Sequence, residues 1–316
     1  MRTLFLNDDT MNSAPCVATI GFFDGVHRGH RFLIGSVMEE ARQTGMESMA
    51  ITFDRHPRLV LDTGYKPKML NTPYERNKHL EATGVDICAV VPFTVETAAL
   101  SAYDFMKKIM RDRLNVRTLI TGYDNRFGHN RSEGFEDYVR YGAELGISVR
   151  RAKAFTLDGI NISSSVVRAL LDDGEVAMAA LCLGYHYKLA GRVVGGMRQG
   201  RRMGFPTANI DISGSGKMVP ARGVYAVRVR VEGTGGVSGG MMNIGMRPTF
   251  DGDNVSLEVN IFDFSGDIYG KKIEVEFIKR IRSEHKFASA EKLRSQLAAD
   301  SDEARKILAT DIKQDF

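Results

Sequence analysis

The sequence predicts an α/β fold in two parts: a three-layer domain around a parallel sheet, then an antiparallel β-rich domain ending in a helix. Three observations carry this. Through the first half, apolar runs of strand length alternate with longer runs of helical spacing. Beyond Tyr187 the runs become short, β-branched and alternating in polarity. Glycine follows the same change: of 32 in 316 residues, 14 lie in 1–183, 18 in 184–270 and none after Gly270. A chain of this length with 43% hydrophobic residues has material for two cores, and the pattern divides it into 1–185 and 186–316.

In order, CVATIGFF from Cys16 reads as a strand ended by Asp24 and Gly25, and after Gly29 the spacing of Phe32, Leu33, Val37 and Ala41 reads as a helix. SMAITFD is a second strand. TPYE at Thr72–Glu75 supplies an N-cap Thr, a Pro at the first helical position and a Glu three residues after the cap. Val85–Phe93 is a third strand, Ser101–Asp104 opens a helix, Val116–Gly122 is a fourth strand and ISVRRAKAF a fifth. Such alternation implies parallel strands joined by right-handed crossovers, with ligands at the carboxyl ends of the strands.

From Ser163 two short helices follow, the first stopped at Gly174. YKLAGRVVGG, GVYAVRVRV, GGMMNIG, VSLEVNIFDF and KIEVEFIKRI then give the strands of an antiparallel barrel or sandwich. After Phe287, the spacing of Leu293, Leu297, Ala304 and Leu308 predicts a terminal helix.

Composition narrows the function. Eight prolines and no glycine period exclude collagen-like chains, and with the hydrophobic content they exclude disordered ones. The net charge of +4, from 43 basic and 39 acidic residues, forms no basic stripe, so no nucleic-acid partner is expected, while small anions are compatible. Cys16, Cys88 and Cys182 are too few and too scattered for a disulfide framework or a CxxC metal site. No apolar stretch of about 18 residues occurs, and the first residues lack a signal-peptide pattern. The expectation is a cytoplasmic protein with no membrane partner, a monomer or weak homo-oligomer.

The chemistry of the first half centres on GFFDGVHRGH, Gly21–His30. Two histidines three apart beside glycines, where a strand meets a helix start, make an anion cradle suited to a phosphate chain. By spacing alone the segment reads equally as a glycine turn with capping histidines, and a bare metal site lacks a third ligand nearby. In the second half Gly191–Asn209 packs glycines and arginines between strand-like runs without the P-loop order, reading either as a lid over a nucleotide or as a long hairpin with a basic tip. Glu258 lies in an alternating strand, on the face it shares with Asn260 and Phe262 and opposite Leu257, Val259 and Ile261.

These segments resemble, in order, those of bacterial bifunctional riboflavin kinase/FAD synthetases. GFFDGVHRGH is similar to the HxGH signature of nucleotidylyltransferases, and TFDRHP, GYDNRFG and ISSSVVR follow it in the family's order. GFPTAN, GVYA, NIGMRPTF and EVNIFDF look like the riboflavin kinase module. The resemblance covers roughly Val17 to Arg305. It implies a Rossmann-like nucleotidylyltransferase domain making FAD and diphosphate from FMN and ATP, and a barrel making FMN and ADP from riboflavin and ATP, both with Mg²⁺. By the same resemblance His27 and His30 hold the ATP phosphates with Gly21, Asp24 and Gly29 in the same turn. Asp124, Ser164, Ser165 and Arg168 complete that nucleotide site. Asp54, Asp124 and Arg247 contact flavin, Gly195 belongs to the kinase lid, Thr207 and Asn209 bind Mg²⁺ and ATP phosphates, and Glu258 is the kinase base. Three positions depart from the family pattern: Phe22 stands where Asn is common, Asn125 where an aromatic often follows the residue matched by Asp124, and Asn260 where His is frequent.

Overall fold

The computed structural model of the chain describes residues 1–7, 10–61, 64, 68–123, 125–157, 159–196, 200, 203–249 and 252–311. It divides into two compact units, Met1–Ser164 and Ser165–Phe316.

The first unit is built on six strands: β1 Arg2–Phe5, β2 Cys16–Ile20, β3 Glu47–Phe53, β4 Ile87–Val91, β5 Val116–Thr121 and β6 Ser148–Arg151. All pairings are parallel, in the order β1-β4-β3-β2-β5-β6. The predicted parallel sheet is present with one more strand than expected. Four-residue β1 has a single neighbour at the sheet edge, too short a run for its pattern to stand out in sequence.

The connecting helices are α1 Arg28–Thr44, α2 Pro57–Leu61, α3 Pro73–Glu81, α4 Val95–Ala99, α5 Ala102–Phe105, which continues into a π turn over Met106–Arg111, and α6 Phe135–Leu145. The capping chemistry expected of α3 is present: Thr72 Oγ1 accepts from the Glu75 amide (3.2 Å) and Glu75 Oε2 from the Thr72 amide (2.8 Å).

Both sheet faces are covered. Cys16, Ala18 and Ile20 join the core with Met106, Met110 and Tyr138, while Ala50, Cys88 and Val90 pack with Ile34 of α1 on the other side. Apolar residues therefore fill consecutive strand positions, as a sheet buried on two faces requires. Successive strands step one way from β2 through β3 to β4, and β5 and β6 lie on the other side of β2. The carboxyl end of β2 is thus a topological switch point, the place in such sheets where ligands bind.

After a small hairpin of β7 Thr156–Leu157 and β8 Ile160–Asn161 come α7 Ser164–Asp172 and α8 Val176–Leu183. The second unit is a closed antiparallel barrel of β9 Lys188–Val194, β10 Ala208–Asp211, β11 Gly223–Val231, β12 Ser238–Thr249, β13 Gly252–Ile261 and β14 Lys272–Arg282. The ring order is β10-β13-β12-β11-β14-β9, with β9 pairing β10 to close it. Between barrel and sandwich, the closed barrel is what forms. β10 was hidden in the glycine-rich segment, where four strand residues follow a turn.

Helix α9, Ala290–Asp311, lies against the outside of the barrel, with Ala304, Leu297 and Leu308 packing on Val224, Ala226 and Phe262. Three of its four expected apolar contacts fall in this cluster. Among the described residues no helix is long and apolar enough to cross a membrane.

Candidate active sites

In the first unit β2 ends at Ile20 and the chain turns sharply. Phe23 (φ 55°), Gly25 (φ 83°) and Val26 (φ 36°) all have left-handed backbone. Such a conformation costs non-glycine residues of order 1 kcal/mol or more each. The Phe23 and Val26 side chains are almost wholly buried in the core beside Ile34 and Leu80, which offsets the strain. Asp24 is buried too. Its carboxylate accepts from the amides of Leu70 (3.0 Å) and Asn71 (3.1 Å), and its carbonyl accepts from Ser164 Oγ (2.8 Å). Asp24 thus ties the turn to the segment before α3.

His27 is the N-cap of α1: its Nδ1 accepts from the His30 amide (3.3 Å), which leaves its own proton on Nε2. The two imidazoles stack at 3.6 Å between centroids and 19° between planes, and Phe23 meets His30 edge-on at 5.2 Å. A Cβ on Gly29 would lie 3.1 Å from His27 Nδ1 and 3.2 Å from the Ile162 carbonyl, so a side chain here would press on the cap. Burial, and secondarily the neighbouring His27, hold the His30 imidazole well below its ordinary pKa. Its Nδ1 is buried with no hydrogen-bond partner among the described residues. A helix start without an acidic residue in its first turn, flanked by a neutral imidazole, suits anionic oxygens.

Three further residues shape this end of the sheet, and residue type alone did not reveal their roles. Arg76 on α3 is buried and donates to the carbonyls of Phe53 (2.7 Å) and Phe22 (3.3 Å), with its guanidinium 4.7 Å from the Phe22 ring centroid. Asn125 Nδ2 donates to the Ile20 carbonyl. Asp54 accepts from the Phe93 amide (2.8 Å) and from Arg55 (3.1 Å). Burial pushes the Asp54 carboxyl up, and the Phe93 and Arg55 bonds outweigh it, so it ends below its ordinary pKa.

Gly21 begins the turn after β2. Ser165 and Arg168 lie on α7 in the second unit. Asp124 lies outside the described residues, and so does the side chain of Arg247.

In the second unit a separate constellation forms. Thr207 precedes β10, and its Oγ1 donates to Glu258 Oε2 at 3.3 Å. Asn209 of β10 and Asn243 of β12 both pair in register with Glu258 of β13, placing the carboxylate between two amide side chains on neighbouring strands. Glu258 is only partly exposed, and Asn260 and Phe262 on its face are buried, so that face is not the solvated side of an outer strand.

Gly195 follows β9 with open space where a Cβ would stand, whereas a Cβ on Gly196 would fall 2.0 Å from Asn209 Nδ2. Of the described glycines in this stretch, Gly196 and Gly200 therefore lie directly against the Thr207–Asn209 segment. Thr207 also lines a cleft of about 610 Å³ in which Val193, Val259, Ile261 and Phe264 give apolar surface and Ser265, Asp267 and Tyr269 give polar groups.

A family model described as FAD synthetase matches residues 9–166, and one described as riboflavin kinase matches 183–308. The chain is 39% identical over 298 residues to the bifunctional riboflavin kinase/FMN adenylyltransferase of Escherichia coli strain K12, covering 93% of this chain and 94% of that one. It is 37% identical over 295 residues to the protein of the same description from Bacillus subtilis strain 168, covering 92% of each. A solved structure described as a macrolide-efflux protein from Streptococcus pneumoniae superposes with a TM-score of 0.87 at 31% identity, covering 96% of this chain and 99% of that one. The chain belongs to the bifunctional riboflavin kinase/FMN adenylyltransferase family, an enzyme family with two catalytic modules.

Proposed function

We propose that the two constellations serve the two reactions of the family separately: residues 1–185 form FAD and diphosphate from FMN and ATP, and residues 186–316 form FMN and ADP from riboflavin and ATP. The observation that carries this reading is that each unit has its own cluster. His27 stacks on His30 at a helix start in one, and Thr207 is bonded to Glu258 in the other.

In adenylyl transfer, the FMN phosphate oxygen bonds to the α-phosphorus of ATP as the bond to diphosphate breaks. No covalent enzyme intermediate is needed, so positioning and charge stabilisation suffice. His27 Nε2–H, His30 and the first amides of α1 hold the phosphate oxygens, with Ser164 and Asp124 among the nucleotide contacts. Asp24 keeps the turn in its strained shape. Asp54, Asp124 and Arg247 belong to the flavin contacts, with Asp54 acting by fixing the ends of β3 and β4.

In the kinase reaction, Glu258 accepts the proton of the ribityl 5′-hydroxyl as its oxygen bonds to the γ-phosphorus and ADP leaves. The cleft beside Thr207, with the apolar surface of Val193, Val259 and Ile261 and the polar groups of Ser265 and Asp267, suits an adenine ring and its edge nitrogens, and the Gly195 segment closes over the phosphates. The oxygen donors of Thr207 and Asn209 fit Mg²⁺, which takes few protein ligands and keeps phosphates and waters as the rest. Bound there, the ion neutralises phosphate charge. The chain acts in the cytoplasm on small molecules, as a monomer or weak homo-oligomer without nucleic acid.

The test mixes purified protein with riboflavin, ATP and Mg²⁺ and separates the flavins over time. FMN appears first and FAD follows; absence of both would overturn the reading.

A further inference from the structure

We propose that Asn260 is a positioning residue of the kinase site, fixing the Pro206–Thr207 turn against Glu258 so that it can receive the metal–nucleotide. The inference rests on the proposed kinase roles of Thr207 and Glu258. Asn260 is buried, 7% exposed, and its Nδ2 donates to the Pro206 carbonyl at 2.7 Å. A proline has no amide hydrogen, so this residue can be anchored through its backbone only by that carbonyl.

Thr207 stands one residue before the paired stretch of β10, whose register with β13 begins at Ala208 opposite Val259. The β-ladder therefore does not set its position. Glu258 and Asn260, two apart on β13, project from the same face and take consecutive residues of the turn: Glu258 the Thr207 hydroxyl, Asn260 the Pro206 carbonyl. On the glycine side the segment is confined as well, since a Cβ on Gly200 would lie 2.3 Å from the Phe205 carbonyl and 3.3 Å from Thr207 Oγ1. The Asn260 bond sets where the Thr207 hydroxyl stands relative to the carboxylate. Its loss lets the turn move off β13 while the barrel ladder stays intact.

Asn260→Asp keeps the shape and removes the donor; Asn260→His restores a side-chain N–H. In the full-length protein, Asn260→Asp raises the KM for MgATP and the Mg²⁺ concentration for half-maximal FMN formation about tenfold, the loss expected for one buried hydrogen bond. The KM for riboflavin, and FAD formation from supplied FMN, stay within about twofold. MgADP, added without riboflavin, raises the unfolding temperature of the second unit less in this variant than in the parent, and Asn260→His recovers most of the difference.

An unchanged MgADP effect, or a loss of FMN formation that only tracks a lower unfolding temperature with KM for MgATP unaltered, would overturn the positioning role and leave the kinase reading standing. A parent protein that forms no FMN would instead overturn the kinase reading, and this inference with it.

Discussion

Asp24 and Arg76 occupy the same end of the first unit's sheet, carry opposite charges, and both make hydrogen bonds to backbone. Asp24 accepts from the amides of Leu70 and Asn71; Arg76 donates to the carbonyls of Phe22 and Phe53. Backbone partners have no residue type, which explains why the sequence brought out the two histidines and, by resemblance, Asp24 in their turn, but neither the backbone bonds of Asp24 nor Arg76. The same holds for Asn125 on Ile20 and Asn260 on Pro206, partners 105 and 54 positions away.

A pH prediction belongs at this scale. His30 has a folded pKa depressed by burial and by His27, so the unfolded chain binds the proton more readily. Its stabilising contribution is complete above the ordinary histidine value of 6.5 and is lost progressively as pH falls below it. His30→Gln should flatten the fall in first-unit stability between about pH 7 and pH 5, measured by denaturant titration. An identical slope in parent and variant would show that His30 does not titrate this way.

Among the elements, those of the first unit were the most legible, because helix caps and apolar runs are local. The capping box at Thr72 and the strand at Val116 were both recognisable from neighbouring residues. Short β1 and β10 were not, since four residues at a sheet edge or after a glycine turn owe their extended form to the strands they pair with.

Helix α9 was legible as an amphipathic run, but its polar anchor was not. Asp300, 1% exposed, takes Arg282 through two nitrogens at 2.9 and 2.7 Å and also accepts from Gln296. Asp300→Ala removes these charge-assisted bonds while Arg282, itself partly exposed, keeps access to water; it should therefore destabilise the second unit by about 1.5–3 kcal/mol. Thermal inactivation of FMN formation would read this directly, with FAD formation from supplied FMN comparatively spared. Equal inactivation of the two activities would contradict the account of this anchor.

For the whole molecule, the glycine distribution that separated two parts in sequence corresponds to two units with different jobs for that residue. In the first, Gly25 sits in a strained turn; in the second, Gly196 permits close backbone approach to Asn209. Two cores and two family matches describe a chain of two modules, to which the proposed function gives one constellation each.

The most direct test of that division is a crossed substitution on the full-length protein. His30→Ala should lower FAD formation from FMN at least a hundredfold, about the contribution of a group holding transition-state charge, and leave FMN formation from riboflavin unchanged. Glu258→Ala should lower FMN formation by about 10²–10⁴ as expected for a general base, and leave FAD formation from supplied FMN intact. Loss of both activities in either folded variant would contradict separate sites.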